Sequence, residues 1–404
     1  MRTSPADARL RDEIHAFVAS HWPGFDRQVQ TDISGVDNAY RDAWFKKLFL
    51  GQWALAAWPE ASGGLGWSMA RQAMWDNACA KVDAPRMAMR PGVSFVGPAL
   101  LAWGSRGQMD RFLPPIRDDS CAWCVGIVEP HQVVGMDIRT IATELEDGVL
   151  VNGTKGWVRA AERANWMFTL ARVRTSAAVK DHYVGLLVDL RADGITIEAP
   201  QRAGPGDRIA NVRLDDVNVP MSCVIDFGLQ SDEPTDRLWA RFLDHEHRIV
   251  CNTAGQHQRL NLLRERFENG IGEHLSEQLD AAEIQLQAIE AMEVAHHAGS
   301  ADELSVESAV LRVKRAELVQ DVAWLQVQSF AYYAVSDTNE LLLDNEGPIG
   351  PEGAAGAIND ALMASMWVTY LADHRDKLAK QLGIVDEHET THIIAKTTAD
   401  NRPE

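Results

Sequence analysis

Four groupings in this chain have residue types and spacings that invite chemistry. Cys121-Ala-Trp-Cys124 is a CxxC, the spacing of a redox dithiol or of half a zinc site. No second pair accompanies it, and its neighbours Trp123, Val125, Ile127 and Val128 read as a buried strand, so structural thiols are expected. Gly148-Val-Leu-Val-Asn-Gly153-Thr-Lys155 follows a phosphate-binding loop only up to its last two positions. It also lies between strands rather than between a strand and a helix, which argues against a phosphate cradle. His245-Glu246-His247 is not a zinc-binding HExxH, because Ile249 occupies the second ligand place. Histidines two apart on a helix also face different ways. His296-His297 reads as a solvated helix end.

These groups need elements to hold them. The 404 residues exceed the roughly 100–200 that one domain takes, so two or three packed units are expected. Apolar residues make up 46% and charged residues 24%, a globular balance that excludes disorder throughout. The 39 basic and 58 acidic residues leave a net charge of −19. Such a surface repels phosphate backbones and anionic lipid, so neither nucleic acid nor membrane is an expected partner. The cysteines Cys79, Cys121, Cys124, Cys223 and Cys251 are too few and too scattered for a disulfide framework. The opening stretch is amphipathic and charged, and no apolar run approaches the roughly 18 residues of a membrane span, so a cytoplasmic protein is expected.

Residues 1–120 read as helical. Ala8, Leu10, Ile14, Phe17 and Val18 recur near a 3.6-residue period. Trp58-Pro59-Glu60, running into Gly63-Gly64-Leu65-Gly66, and Leu113-Pro114-Pro115-Ile116 read as turns. Residues 121–225 break into short β-branched and aromatic runs punctuated by Gly, Pro, Asn and Asp, the pattern of a β domain. From 226 to 385 helical periodicity returns, with Val313, Ala316, Val319, Ala323, Val327 and Phe330 on one stripe, interrupted by a Gly/Pro loop at 345–353. Residues 386–404 read as a frayed tail. The class expected is α+β.

Taken in order, several segments resemble the acyl-CoA dehydrogenase family. They are Trp58-Pro59-Glu60 with Gly63-Gly64-Leu65-Gly66, and Gly97-Pro98, Gly104-Ser105, Gln108 and Leu113-Pro114-Pro115-Ile116. Glu129-Pro130 followed by Gly135-Met136-Asp137 and Val151-Asn152-Gly153-Thr-Lys155-Gly-Trp157 come next, then Val217-Asn-Val219-Pro220 and Arg264-Glu-Arg-Phe267. The resemblance spans about residues 50–385. It implies a helical N-terminal domain, a β barrel-like centre and a four-helix C-terminal bundle, assembled as a tetramer with FAD between subunits. It also implies an activity, the α,β-desaturation of an acyl-CoA thioester. A carboxylate in an apolar cleft takes the α-proton and the β-hydrogen leaves as hydride. The cofactor positions it implies here are Val128, Glu129, Met136, Trp157, Arg159, Arg264 and Phe267.

The base falls in one of two places in the family. Aligning Arg375-Asp-Lys-Leu-Ala-Lys-Gln-Leu-Gly383 puts Val368-Thr369-Tyr370 on the late turn, and valine cannot accept a proton. The other place, on the first helix of the bundle, holds Leu243-Asp-His-Glu246-His247, which makes Glu246 the candidate base. The competing reading of Glu246 is an exposed helix acid in the polar run His245–Arg248.

The flavin-facing positions depart from the family pattern. Val128 stands where a hydroxyl precedes Glu-Pro, Met136 where a serine is usual, Arg159 in place of a Ser or Thr, and Val368-Thr369-Tyr370 in place of a Gly-Gly-Thr-like turn. Leaving a buried polar ring without such partners costs about 1–3 kcal/mol each. The leading expectation is therefore one subunit of a heteromeric α2β2 enzyme acting on steroid-derived acyl-CoA, with a homologous chain completing the flavin site. Arg264 and Phe267 would then supply part of the nucleotide pocket. The alternatives are a self-sufficient homotetrameric FAD enzyme with Glu246 as base, and a non-redox acyl-CoA-binding member of the family.

Overall fold

Helix α1, Pro5–His21, buries Ile14 and Val18 completely and lays Leu10 and Phe17 against the same core, as the period of its apolar residues requires. Helices α2 (Val36–Leu50) and α3 (Met69–Ala80) add Trp44, Phe45, Leu48 and Trp75 to it. Phe17, Trp44, Trp53, Trp67 and Trp75 stack and tilt on one another with centroids 5.2–6.4 Å apart, so these tryptophans are packing rather than a cavity lining. In this computed structural model the described residues are 5–22, 36–80, 82, 84, 90–130, 138–174, 182–198, 201–202, 208–227, 237–242, 253–269, 273–298, 305–335, 357–358, 361 and 365.

The turn at Trp58–Gly66 forms as its glycines dictate, with Gly63 at φ +85° and Gly66 at φ +60°. The pair Pro114-Pro115 is a correction: it lies inside helix α5 (Arg106–Arg117), not in a turn. Proline's fixed φ is helical, so the pair continues the helix, at the cost of the i→i−4 bonds that its missing N–H groups would have made to Asp110 O and Arg111 O. The chain leaves the helix at once, through Asp118 N–H to Pro114 O and Ser120 N–H to Pro115 O. A turn of π-helix over Gly92–Val96 feeds α4 (Gly97–Trp103). At the start of α5, Ser105 and Gln108 form a reciprocal capping box, and Gln108 Nε2 donates to Val224 O at 2.7 Å. That bond ties the helical layer to the β domain.

Nine strands are described: β1 (Trp123–Gly126), β2 (Ile141–Glu144), β3 (Gly148–Arg159), β4 (Trp166–Arg174), β5 (His182–Asp189), β6 (Ile195–Ile197), β7 (Gln201–Arg202), β8 (Arg208–Pro220) and β9 (Val224–Asp226). They pair in the order β6-β8-β3-β2-β4-β5-β9, with β1 on β4 and β7 on β8. The β1–β4 and β2–β4 pairs are parallel and the rest antiparallel. Residues 237–242 are helical (α6), and α7 (Thr253–Glu268), α8 (Ser276–Ala298) and α9 (Val306–Phe330) follow. Helix α9 serves two cores. Leu311, Leu318, Val322 and Leu325 pack on α7 and α8, while Ala316, Val319 and Ala323 join the core shared with the β domain. Helices, a mixed sheet and helices again make the α+β class expected.

Candidate functional site

Two sequence segments 26 residues apart meet around one buried ion pair. Lys155 Nζ lies 2.8 Å from Glu129 Oε1, with the two side chains 0% and 2% exposed. The same Oε1 accepts from Thr140 N–H at 3.0 Å and from the Thr140 hydroxyl at 2.6 Å, and Oε2 accepts from Arg139 N–H at 2.9 Å. Burial alone would push the Glu129 carboxyl up. The Lys155 charge and bond, with the Thr140 hydroxyl and amide, outweigh it and hold the carboxyl below its usual range. Burial pulls the Lys155 ammonium down to about 8, against the raising pull of Glu129.

Strand β3 folds around this pair residue by residue. Asn152 exchanges two bonds with Asp216, its amide donating to the carboxylate at 2.9 Å and its carbonyl accepting from the Asp216 N–H at 2.9 Å. Gly153 faces Thr140 so closely that any Cβ would overlap the threonine hydroxyl. Gly156 N–H donates to Val128 O at 2.8 Å, and a Cβ on Gly156 would meet Pro130 N at 3.1 Å. The register with β8 slips between Lys155 and Val158, a bulge that turns the chain outward. Trp157 sits in that bulge at φ +58° with 41% of its surface exposed. Left-handed backbone is strained for a tryptophan and persists only where the surroundings fix it.

The expected site residues divide accordingly. Val128 and Glu129 are buried against strand β3, which carries Trp157 and Arg159, through Gly156 N–H to Val128 O and Lys155 to Glu129. Val128 is 5% exposed in the core, and Arg159 is half-buried, in register with Ile209. Met136 and Glu246 lie outside the described residues, as do His245, His247, Val368-Thr369-Tyr370, the 345–353 loop and the tail. Arg264 is on α7, where its guanidinium binds Asp280 at 2.7 Å and Glu283 at 2.8 Å. Phe267 is buried among Leu260, Leu263, Leu279 and Leu286. Glu129 is the residue whose partner the sequence left open: Lys155 carried the signal, because a lysine inside a β-branched strand must find a buried anion.

The remaining chemical candidates are quiet. Cys121 and Cys124 are free thiols, and burial pushes both upward, which disfavours a reactive thiolate. Lys155 is committed to Glu129, so Gly148–Lys155 cradles no phosphate. His296 Nε2 meets Ser308 Oγ at 3.1 Å near the end of α8. Among the described residues no cluster of ligands suits a metal, and no helix is long and apolar enough to cross a membrane.

An isoalloxazine needs hydrogen-bond partners along its polar edge. At the described positions assigned to it, Val128 has no polar side-chain atom and its carbonyl is taken by Gly156. Both oxygens of Glu129 are filled by protein donors. At the positions assigned to the nucleotide pocket, Arg264 is held by two carboxylates and Phe267 belongs to a core. The Val128 and Glu129 side chains therefore offer an isoalloxazine no hydrogen-bond partner.

Residues 4–119 match the family model described as acyl-CoA dehydrogenase, N-terminal domain, and residues 124–217 match the acyl-CoA dehydrogenase middle domain. The chain is 32% identical over 188 residues to acyl-CoA dehydrogenase IpdE1 of Mycobacterium tuberculosis (strain ATCC 25618 / H37Rv), covering 46% of this chain and 48% of that protein. It is 35% identical over 174 residues to FadE34 of the same organism, covering 42% of this chain and 24% of that one. The chain thus spans about half or less of these curated relatives. Among solved structures, a chain of the ChsE4-ChsE5 complex from Mycobacterium tuberculosis superposes with a TM-score of 0.75 at 19% identity, over 96% of this chain and 100% of that one. The Tcur3481-Tcur3483 steroid ACAD gives 0.73 at 20% identity, over 95% and 99%.

Proposed function

This chain belongs to the acyl-CoA dehydrogenase family, and from that premise we propose that it serves α,β-desaturation of an acyl-CoA thioester as the flavin-poor subunit of a heteromeric complex. A homologous partner chain holds the complete FAD site, and this chain supplies scaffold, interface and a preformed rim at Val128, Trp157 and Arg159. The observation that carries the reading is Val128: an apolar, buried side chain where the family pattern places a hydroxyl, with its carbonyl closed off by Gly156. The likeness to a structure described as a two-chain complex, and to one described as a steroid ACAD, supports a homologous partner and a bulky, steroid-derived acyl group.

The chemistry of the reading asks little polar work of this rim. An apolar, dry wall beside the reacting thioester keeps water from a carboxylate that must be basic near neutral pH. Within this chain the candidate for that carboxylate is Glu246, which follows α6 in sequence. Co-expression with a homologous chain tests the assignment. Stable co-purification as a complex that desaturates a steroid-side-chain acyl-CoA, with neither chain active alone, is expected. A lone chain that forms a yellow, active homotetramer supports the self-sufficient enzyme with Glu246 as base. A colourless chain that binds acyl-CoA beside every homologue supports a non-redox role.

A further inference from the structure

The Glu129 carboxylate reaches Arg139 and Thr140, ten and eleven residues on, and Lys155 on a different strand. It therefore joins three stretches of backbone: the Val128–Pro130 segment, the entry to β2, and the bulge of β3 that displays Trp157. The donors that converge on it include two amide N–H groups, one hydroxyl and one ammonium. The main chain repeats the linkage, since Gly156 N–H binds Val128 O and packs on Pro130. Of the run Asn152–Trp157, the side chain of Asn152 and the absent Cβ atoms of Gly153 and Gly156 serve local contacts, and Lys155 serves Glu129. Trp157 is exposed, in a left-handed conformation that costs energy to hold.

We propose that Glu129 and Lys155 are positioning residues, a buried clasp that fixes the Trp157 bulge against Val128–Pro130 and so presets the rim on which the desaturase complex closes. The inference rests on the family reading for what the rim meets, but the clasp itself acts through backbone geometry within this chain. The converging donors make the carboxylate specific. An amide in its place turns an NH2 group toward at least one donor, and a shorter carboxylate keeps the charge while stretching the bonds. A lysine-to-methionine change leaves the anion buried with its remaining donors.

The test uses the co-expressed complex and the lone full-length chain, with Glu129→Gln, Lys155→Met and Glu129→Asp. Amide hydrogen exchange of the lone chain is read at residues 128–129 and 154–159. Exchange there is expected to quicken at least tenfold in Glu129→Gln and Lys155→Met, with β4 and β5 unchanged and Glu129→Asp intermediate. In the complex, KM for the acyl-CoA is expected to rise about tenfold with kcat less affected, again partly restored by Glu129→Asp. If Glu129→Gln does not fold, Lys155→Met carries the test. Unchanged exchange at 154–159 in a folded variant overturns the clasp, and so does faster exchange with KM and kcat both at wild-type values. If the lone chain proves to be a self-sufficient flavoenzyme, the heteromer reading fails, but the exchange result still decides the clasp.

Discussion

Gly97 lies against the indole of Trp58 so closely that an added Cβ would overlap Cζ2 and stand 2.7 Å from Cη2. Trp58 is 1% exposed, and its Nε1–H donates to Val93 O at 2.8 Å, so the ring is pinned from both sides. Two segments 39 residues apart in sequence are one packing unit. Gly97→Ala is expected to destabilise the chain by about 1–3 kcal/mol through overpacking. Urea denaturation checks it, and an unchanged midpoint would show that the contact relaxes freely.

The Glu129–Lys155 pair predicts a pH dependence of stability with two limbs. Glu129 is held below its ordinary 4.5 in the folded chain, so its contribution is present above 4.5 and is lost as pH falls through the folded value. Lys155 is pulled from 10.5 to about 8, so folding disfavours its protonated form and stability rises as pH climbs from about 8 toward 10.5. Thermal melts of Glu129→Gln should show a shallower acid limb than wild type. Melts of Lys155→Met should lack the alkaline rise.

Breaking one member of that pair leaves the other buried, so Lys155→Met at neutral pH is expected to cost about 3–5 kcal/mol. Replacing both, as Glu129→Leu with Lys155→Met, should cost less than the sum of the single changes, measured in a double-mutant cycle. Additive losses would show that the two side chains act independently.

Ala331, just past α9, sits at φ +49°, ψ −128°, a region that glycine alone adopts without strain. Ala331→Gly is expected to stabilise the chain by about 0.5–1 kcal/mol despite the greater freedom it gives the unfolded state. A lower melting temperature would refute it.

Much of the architecture was legible because periodicity and turn chemistry are local. The α1 stripe at Ile14 and Val18, the stripe along α9 and the turn at Gly63–Gly66 follow from spacing alone. Pro114-Pro115 misled, because proline's fixed φ is itself helical, and the bonds its missing N–H groups forgo did not end this helix. The site was legible only in part. Val128 could be read as apolar, but that Gly156 closes its carbonyl depends on a bulge set by the pairing of β3 with β8, a long-range fact. Arg264 read as part of a nucleotide pocket, and that Asp280 and Glu283 on the neighbouring helix bind its guanidinium could not be read from sequence distance. The same holds for Phe267, whose burial is fixed by how α7 and α8 pack.

The proposed function has this chain unable to hold an isoalloxazine with its own β domain. The direct measurement is the flavin-to-chain ratio of the lone, full-length protein, read from its visible absorbance after purification with FAD supplied throughout. A colourless chain with a ratio near zero, rising only when a homologous partner is present, is expected. A lone chain that purifies yellow with about one flavin per polypeptide would contradict it.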